Sequence, residues 1–209
     1  KRFGYQHFFD SSYYSLNDKN SFQYGLHDKP FFQQSVKYLE HLQQPFYAKF
    51  LAVSNHYPFS ELPEAENGFP KVDTGDSTID GYFATANYTD TAIREFFDYL
   101  KASGLYENSM IVLYGDHYGI SDSRIEATKE LFGKDDWTTF DTIEAQKVPL
   151  IIHLPGQEKG TINHTYGGQI DVLPTLLHLV GYDSNDLMLL GQARAETEKF
   201  KADYAAQIS

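Results

Sequence analysis

The chain has 209 residues, of which 41% are hydrophobic and 16% aromatic, enough apolar material to bury a sizeable core. Its 17 basic and 29 acidic side chains give a formal charge of -12, which argues against nucleic acid as a partner held by electrostatic attraction. Cysteine is absent, which excludes disulfides, thiolate metal sites and a cysteine nucleophile.

The first predicted elements are a helix and a strand. Pro30 suits the first turn of an amphipathic helix over "FFQQSVKYLEHLQQ", which Pro45 ends. Residues 46–54, "FYAKFLAVS", are compact, apolar and aromatic and run directly into polar "NHYP". This pattern predicts a buried strand followed by a loop.

A longer helix is predicted from Ser77, a plausible cap, to Gly104, because apolar positions recur there at three-four spacing. "SMIVLYG" and "VPLIIHLPG" are predicted to be two further buried strands, and "DVLPTLLHLVG" a helix that ends at its glycine. Residues 193–209 have a narrow apolar stripe at helical spacing and are predicted to form a terminal helix.

Strands that are apolar throughout and separated by helices predict an α/β fold, with a mixed or mainly parallel sheet covered by helices on both faces. The sequence has no internal repeat or low-complexity linker, which favours one structural unit. In open sheets of this class, sites lie beyond the carboxyl ends of the strands. The loops "SNHYPF" and "GDHYG" would therefore share one cavity if their strands were parallel.

The second of these loops offers an oxygen and an imidazole nitrogen in Asp116 and His117, ligands suited to manganese or zinc. Gly115 and Gly119 allow the backbone to turn there, so that neighbouring side chains can converge. The alternative interpretation is that Asp116 caps the next segment and His117 is an ordinary loop histidine.

His56 follows the first predicted strand and could donate to a phosphoryl oxygen or move a proton to an alcohol. The alternative is a solvated loop histidine. His164 lies near Gly167 and Gly168, where a backbone bulge is the favoured interpretation over a ligand site. The remaining histidines receive no role; His153 and His178 are predicted to be core residues, and the others are His7, His27 and His41.

Three stretches together resemble the extracellular catalytic domain of Gram-positive lipoteichoic acid synthases, a sulfatase-like branch of the alkaline phosphatase superfamily. They are "NHYPF", "GLYENSMIVLYGDHYGIS" and "GGQIDVLPTLLHLVG". The resemblance runs from about residue 1 to residue 192, which we therefore interpret as the carboxyl-terminal part of that domain.

This resemblance implies transfer of glycerol phosphate from phosphatidylglycerol to a growing polymer, through a phosphothreonine intermediate and with manganese(II), or magnesium in its place. It implies that Asp116 and His117 are metal ligands and that His56 is both catalytic and in contact with the phosphoglycerol group. The implied location is the extracellular face of the membrane, with release to the cell wall or medium as an alternative. The parent protein would be anchored by a membrane segment outside this sequence.

The family's nucleophilic threonine and a glutamate metal ligand belong to an amino-terminal half that the sequence does not match. Trp137 lies in the polar stretch "GKDDWTTFD" and does not correspond to the family's pocket tryptophan. We therefore expect this chain alone to be inactive and to bind metal weakly. Two alternatives stay open: another sulfatase-like phosphotransferase or sulfatase, and a non-catalytic fragment that binds envelope polymer.

Overall fold

Residues 4–59, 62 and 72–193 are described by the structure, a computed structural model. The chain divides into two units, one with residues 1–103 and 117–148 and the other with residues 104–116 and 149–209. Each unit is assembled from two separate stretches of chain. Because each unit combines stretches that are distant in sequence, no linker or composition change in the sequence indicates the boundary between the units.

The first unit begins with a small hairpin and the first predicted helix. Strands β1 (Ser21–Phe22) and β2 (Gly25–Leu26) pair antiparallel. Helix α1 (Asp28–Leu39) follows, with Pro30 in its first turn as predicted. It ends before the predicted stop at Pro45, since His41 and Leu42 already donate to carbonyls three residues back, as in a tightened last turn.

The long predicted helix is confirmed as α2 (Ser77–Ala102). Its cap is Asp76, one residue before the predicted Ser77, because the Asp76 carboxylate accepts the backbone N–H groups of Thr78 and Ile79. A carboxylate there satisfies two amides that have no partner inside the helix and faces the positive end of the helix dipole.

Helices α1 and α2 pack through aromatic rings. Phe32 of α1 stacks on Phe96 of α2 with ring centroids 4.9 Å apart, and Phe50 contacts both rings at 5.8 and 5.3 Å. Ile79 and Tyr88, which lie on the same helix α2, are also fully buried. Two short helices, α3 (Ile125–Phe132) and α4 (Thr139–Ala145), complete the helices of this unit within the described part of the chain.

The predicted strand over residues 46–54 is not formed. Residues 46–53 are irregular, and the Val53 and Ser54 amides donate to the Asp28 carboxylate instead of to a neighbouring strand. A strand exists only where a partner backbone completes its hydrogen bonds, and an apolar run does not reveal that partner.

The second unit contains the other two predicted strands, β3 (Ile111–Tyr114) and β4 (Leu150–His153). They pair antiparallel, with Ile111 opposite His153 and Tyr114 opposite Leu150, where the sequence predicted a mainly parallel or mixed sheet. Their burial also differs from the prediction, since Leu150 and Ile151 are 44% and 56% exposed.

Helix α5 (Val172–Leu179) confirms the last predicted helix of the second unit, and Gly181 follows it in a left-handed conformation with φ +70°. Asp171, just before the helix, accepts the backbone N–H groups of Gly168 and Gln192. The predicted terminal helix over residues 193–209 lies outside the described residues, apart from residue 193.

Candidate functional site

The buried Asp28 carboxylate fixes the loop that carries His56. Asp28 is fully buried and accepts the amides of Val53 and Ser54 at 2.9 and 3.0 Å, and the Thr89 hydroxyl at 2.6 Å. In return, the Ser54 hydroxyl accepts the Asp28 amide at 2.7 Å. Charge-assisted bonds of this kind fix the backbone just before Asn55 and His56.

The same loop is held on its far side by helix α2. Thr85, 1% exposed, places its hydroxyl 2.8 Å from Asn55 Oδ1 and 2.9 Å from the Gly81 carbonyl. Phe59 closes a turn by donating its amide to the His56 carbonyl and has a positive φ of 63°. Its backbone lies directly against Gly81, where a β-carbon would come within 2.7 Å of the Phe59 oxygen.

The loop that carries His117 also rests on α2. A β-carbon added at Gly119 would lie 2.9 Å from Cδ2 of Tyr82 and closer still to Cε2. Only a glycine allows the backbone this approach to the ring. The glycine predicted to permit a turn therefore has a second purpose, which is close packing against an aromatic side chain.

His56 and His117 are brought together, as the sequence predicted. Their ring centroids lie 5.6 Å apart with an interplanar angle of 85°, and Tyr24 covers the other side of His56 at 4.4 Å. Beside them is a cavity of about 440 Å³. Its lining comes from the two loops and the segment that precedes α3: Asn55, Tyr57, Phe59, Thr78, His117, Tyr118, Gly119, Ser121, Ser123 and Arg124.

Both histidines are oriented by a backbone carbonyl. His56 Nδ1 lies 2.8 Å from the Tyr57 oxygen, and His117 Nδ1 lies 2.8 Å from the Tyr118 oxygen. A carbonyl only accepts, so Nδ1 carries the proton in each ring. In the neutral tautomer that this selects, Nε2 carries the lone pair, which is the form a metal ligand or a general base requires.

One cavity wall is fixed by an ion pair that sequence reasoning missed. Arg124 donates to Asp76 at 2.8 Å, which ties the segment before α3 to the start of α2. Burial raises the pKa of Asp76, but the amides of Thr78 and Ile79 and the Arg124 guanidinium outweigh it and hold the pKa below its usual value. Asp76 is therefore ionised at neutral pH and balances the arginine charge.

The predicted ligand Asp116 belongs to the second unit, and His117, the next residue, belongs to the first. In the second unit the Gln169 side-chain amide donates to the Asp116 carbonyl at 3.0 Å and to the Gly115 carbonyl at 3.3 Å. The Asp116 side chain is exposed. Gln169 thus connects the "GGQID" stretch with the backbone that carries the predicted ligand, a connection not visible from spacing.

The histidine and carboxylate side chains of the described residues do not form a complete metal site. Residues 4–59, 62 and 72–193 contain no group of three or more histidine, aspartate or glutamate side chains arranged to hold one. Asp116 and His117 are suitable donors by type, and the His117 tautomer has the correct nitrogen as donor. Asp116 and His117 would therefore be two of the ligands of such an ion, and the described part of the chain does not supply a third beside them.

The other histidines lie apart from this cavity lining. His153 stacks on Tyr106 with centroids 4.3 Å apart, in agreement with its prediction as a packed core residue. His164 is exposed, and the indole of Trp137 donates to the Thr142 hydroxyl. Among the described helices, none is long and apolar enough to cross a membrane.

Comparison with known proteins gives consistent matches. Residues 1–182 match the sulfatase family. Lipoteichoic acid synthase 1 of Bacillus subtilis is 49% identical over 204 residues, which cover 98% of this chain and 31% of that protein. The lipoteichoic acid synthase of Staphylococcus aureus (strain USA300) is 42% identical over 191 residues, which cover 91% of this chain and 29% of that protein.

A solved structure shares the fold. The crystal structure of the lipoteichoic acid synthase LtaP from Listeria monocytogenes has a TM-score of 0.76 and 27% sequence identity, and the match covers 90% of this chain and 47% of that one. This likeness confirms the α/β class and the sulfatase-like fold predicted from the motifs. The chain spans about a third of the length of the curated relatives it matches.

Proposed function

Because this chain belongs to the sulfatase family, we propose that it is part of a phosphoglycerol transferase that moves glycerol phosphate from phosphatidylglycerol to a growing lipoteichoic acid chain. The observation that carries the proposal is the meeting of His56 and His117, with ring centroids 5.6 Å apart, beside a cavity that His117 lines. The names of the relatives support the choice of substrate. The proposal concerns a longer protein, since the chain covers 31% of the first of these relatives.

Asp116 and His117 would hold a divalent cation, manganese(II) or in its place magnesium. Such an ion supplies charge neutralisation at the phosphoryl group and lowers the pKa of a coordinated hydroxyl. The His117 tautomer supports this role, because the Nδ1 proton is engaged by the Tyr118 carbonyl and Nε2 keeps its lone pair. The remaining ligands would come from residues beyond those that the structure describes.

His56 is proposed to bind the phosphoglycerol group and to move protons. In the first step, a threonine hydroxyl from outside this chain gives up its proton as it forms a bond to phosphorus, and the phosphorus–oxygen bond to diacylglycerol breaks. The leaving alkoxide takes up one proton, so that one proton passes in net from the threonine to the diacylglycerol. In the second step, the terminal glycerol hydroxyl of the polymer loses a proton as it attacks and releases the threonine. An imidazole whose Nε2 is unprotonated can accept the proton of the glycerol hydroxyl and pass it to the departing threonine oxygen.

We further propose that the enzyme acts at the extracellular face of the cell membrane and that the parent protein holds it there by a membrane anchor. An acidic chain that handles an anionic lipid needs local positive charge. The Arg124 guanidinium on the cavity wall is paired with Asp76, so most of that charge must come from the metal ion and from residues outside the described part.

The test uses the full-length protein, a fluorescent phosphatidylglycerol analogue and manganese. We expect release of labelled diacylglycerol, and we expect His117→Ala to abolish it, whereas His41→Ala removes an exposed histidine that does not line the cavity and should leave the rate unchanged. Equal rates for the wild type and His117→Ala would remove this residue from the mechanism. Hydrolysis of a sulfate ester in place of lipid turnover would identify a sulfatase instead.

A second measurement tests the ligand set directly. Calorimetric titration of the 209-residue chain with manganese should show weak binding, because the described residues lack a group of three donors. Tight one-to-one binding would contradict the assignment of ligands to residues beyond the described part. Polymer binding by the full-length protein without any turnover would favour the non-catalytic alternative.

A further inference from the structure

We propose that Tyr82 is a positioning residue that fixes the relative position of the loops that carry His56 and His117, and that Gly81 and Thr85 on the same helix support it. The proposal rests on the proposed function, in which these two histidines act together. Tyr82 is not among the residues that line the cavity. It would therefore act through the loops rather than on a bound ligand.

The first loop contacts α2 at three positions, Gly81, Tyr82 and Thr85. The Tyr82 ring meets Phe59 edge to face, with centroids 5.4 Å apart and an interplanar angle of 84°. Gly81 lies against the Phe59 carbonyl, and Thr85 lies within hydrogen-bond distance of Asn55. Residues 81 and 85 are one turn apart, so these contacts share one side of the helix.

The second loop packs against the same aromatic ring. Gly119 is so close to Tyr82 that a β-carbon there would be 2.9 Å from Cδ2 and nearer to Cε2. His117 is two residues earlier, and His56 is three residues before Phe59. One ring therefore touches both loops within three residues of each histidine.

The helix beneath these contacts is itself well anchored. Asp76 caps α2 and pairs with Arg124, and Ile79 and Thr85 are buried to within 1% exposure. Residues 54–59 and 117–121 form neither helix nor strand. Asp28 fixes the first of these loops at Ser54, and the side of α2 that carries Gly81, Tyr82 and Thr85 is an element of regular structure that contacts both loops.

A tyrosine that only fills the core and a tyrosine that positions both loops predict different mutational effects. If Tyr82 only filled space, Tyr82→Ala and Gly119→Ala would still couple in the free energy of unfolding, because the two residues touch, but kcat of the folded protein would stay near the wild-type value. If the ring sets the position of the second loop, Gly119→Ala is harmful because its methyl group meets the ring, and removing the ring relieves that overlap.

The closing experiment is a double-mutant cycle in the full-length protein, with diacylglycerol release as the rate. We expect Gly119→Ala to lower kcat by roughly tenfold or more in the wild type, since small misplacements of reacting groups are costly, and by much less in the Tyr82→Ala background. The loss should fall on kcat more than on KM. Tyr82→Phe should retain activity, because the ring remains.

The matched control is Tyr99→Ala, which removes the same residue type from the same helix, where it packs on Phe96 and not on either loop. It should leave kcat near the wild-type value. A near-wild-type kcat in Gly119→Ala, additive losses of kcat from Tyr82→Ala and Gly119→Ala, or a loss in Tyr99→Ala equal to that in Tyr82→Ala, would overturn the proposal.

A readout without lipid turnover separates this proposal from the proposed function. Proton–proton nuclear Overhauser effects between the His56 and His117 rings should be present in the 209-residue chain and in Tyr99→Ala, and lost in Tyr82→Ala. An unchanged signal in Tyr82→Ala would overturn the proposal. If the wild type releases no diacylglycerol while the signal behaves as expected, the proposed function fails and the positioning role stands.

Discussion

Asp28 and Ser54 form a reciprocal pair: the Asp28 carboxylate accepts the Ser54 amide at 3.0 Å, and the Ser54 hydroxyl accepts the Asp28 amide at 2.7 Å. The pair joins the start of α1 to the loop that carries His56. Asp28 is 0% exposed and Ser54 is 4% exposed. Buried polar groups remain in a protein core when each has its partner, and this pair meets that condition.

We expect Asp28→Ala to lower the free energy of unfolding by about 2–4 kcal/mol, because it leaves the buried Ser54 amide and the half-buried Val53 amide without an acceptor. Asp28→Asn should cost less, since its amide oxygen still accepts. Urea denaturation measures both changes. Asp18→Ala, at an exposed aspartate, is the control and should change stability little; an equal loss there would contradict the assigned role.

Gly81→Ala combines a gain in helix propensity with a loss of packing against Phe59. Alanine improves helix propensity by about 1 kcal/mol, but its β-carbon would lie 2.7 Å from the Phe59 oxygen, in backbone that cannot easily move. Overlap of this kind typically costs about 1–3 kcal/mol. We expect a net decrease in melting temperature. Gly160→Ala, with open space around the added carbon, should show none, and a stabilised Gly81→Ala protein would refute the packing argument.

The acid side of the stability curve should depend on Asp141. The Lys134 side chain and then the Thr138 hydroxyl and amide hold the pKa of this carboxyl well below its usual value. A lowered folded-state pKa stabilises the protein above the unfolded pKa of about 3.9, and that contribution disappears as the pH falls through the folded value. Asp141 accepts within the capping box that starts α4, so the effect is local to that helix.

Asp141→Asn tests this dependence. The difference in unfolding free energy between the wild type and this variant should be constant above about pH 5 and shrink below about pH 4. Denaturant titrations at a series of pH values measure it. Asp135→Asn, at an exposed position, should give no such pH dependence. A difference that stays constant down to the most acidic pH would disprove the assigned pKa direction.

Gln169→Ala should reduce activity more than stability. Its amide donates to the carbonyls of Gly115 and Asp116 at an exposed position, so few buried contacts are lost. If Asp116 is a metal ligand, a less constrained backbone should raise the manganese concentration needed for half-maximal diacylglycerol release several-fold, because outer contacts orient ligands. Gln33→Ala, an exposed glutamine on α1, is the control and should leave that concentration unchanged.

The helices were predicted more accurately than the strands. Periodic apolar residues located α1, α2 and α5, because a helix completes its backbone hydrogen bonds within its own segment. The run over residues 46–54 has the composition of a strand but donates amides to Asp28, and β3 and β4 pair in the antiparallel direction. Strand formation and direction depend on a partner distant in sequence.

Part of the candidate site was also predictable. The loops around His56 and His117 were expected to share a cavity if the strands before them were parallel; the two rings do lie together, although residues 46–53 form no strand. Asp28, Tyr82 and Arg124 were missed, since an aspartate at a helix start, a tyrosine in an amphipathic helix and an arginine in a loop are ordinary residues in isolation. Only their contacts distinguish them.

The sequence by itself determined the residue types that carry the chemistry and the helical segments that support them, because both depend on neighbours along the chain. The tertiary structure decided the relative position of the two histidine loops and the pairing of β3 with β4. These features depend on atoms far apart in sequence and close in space. Composition and periodicity do not record such distances.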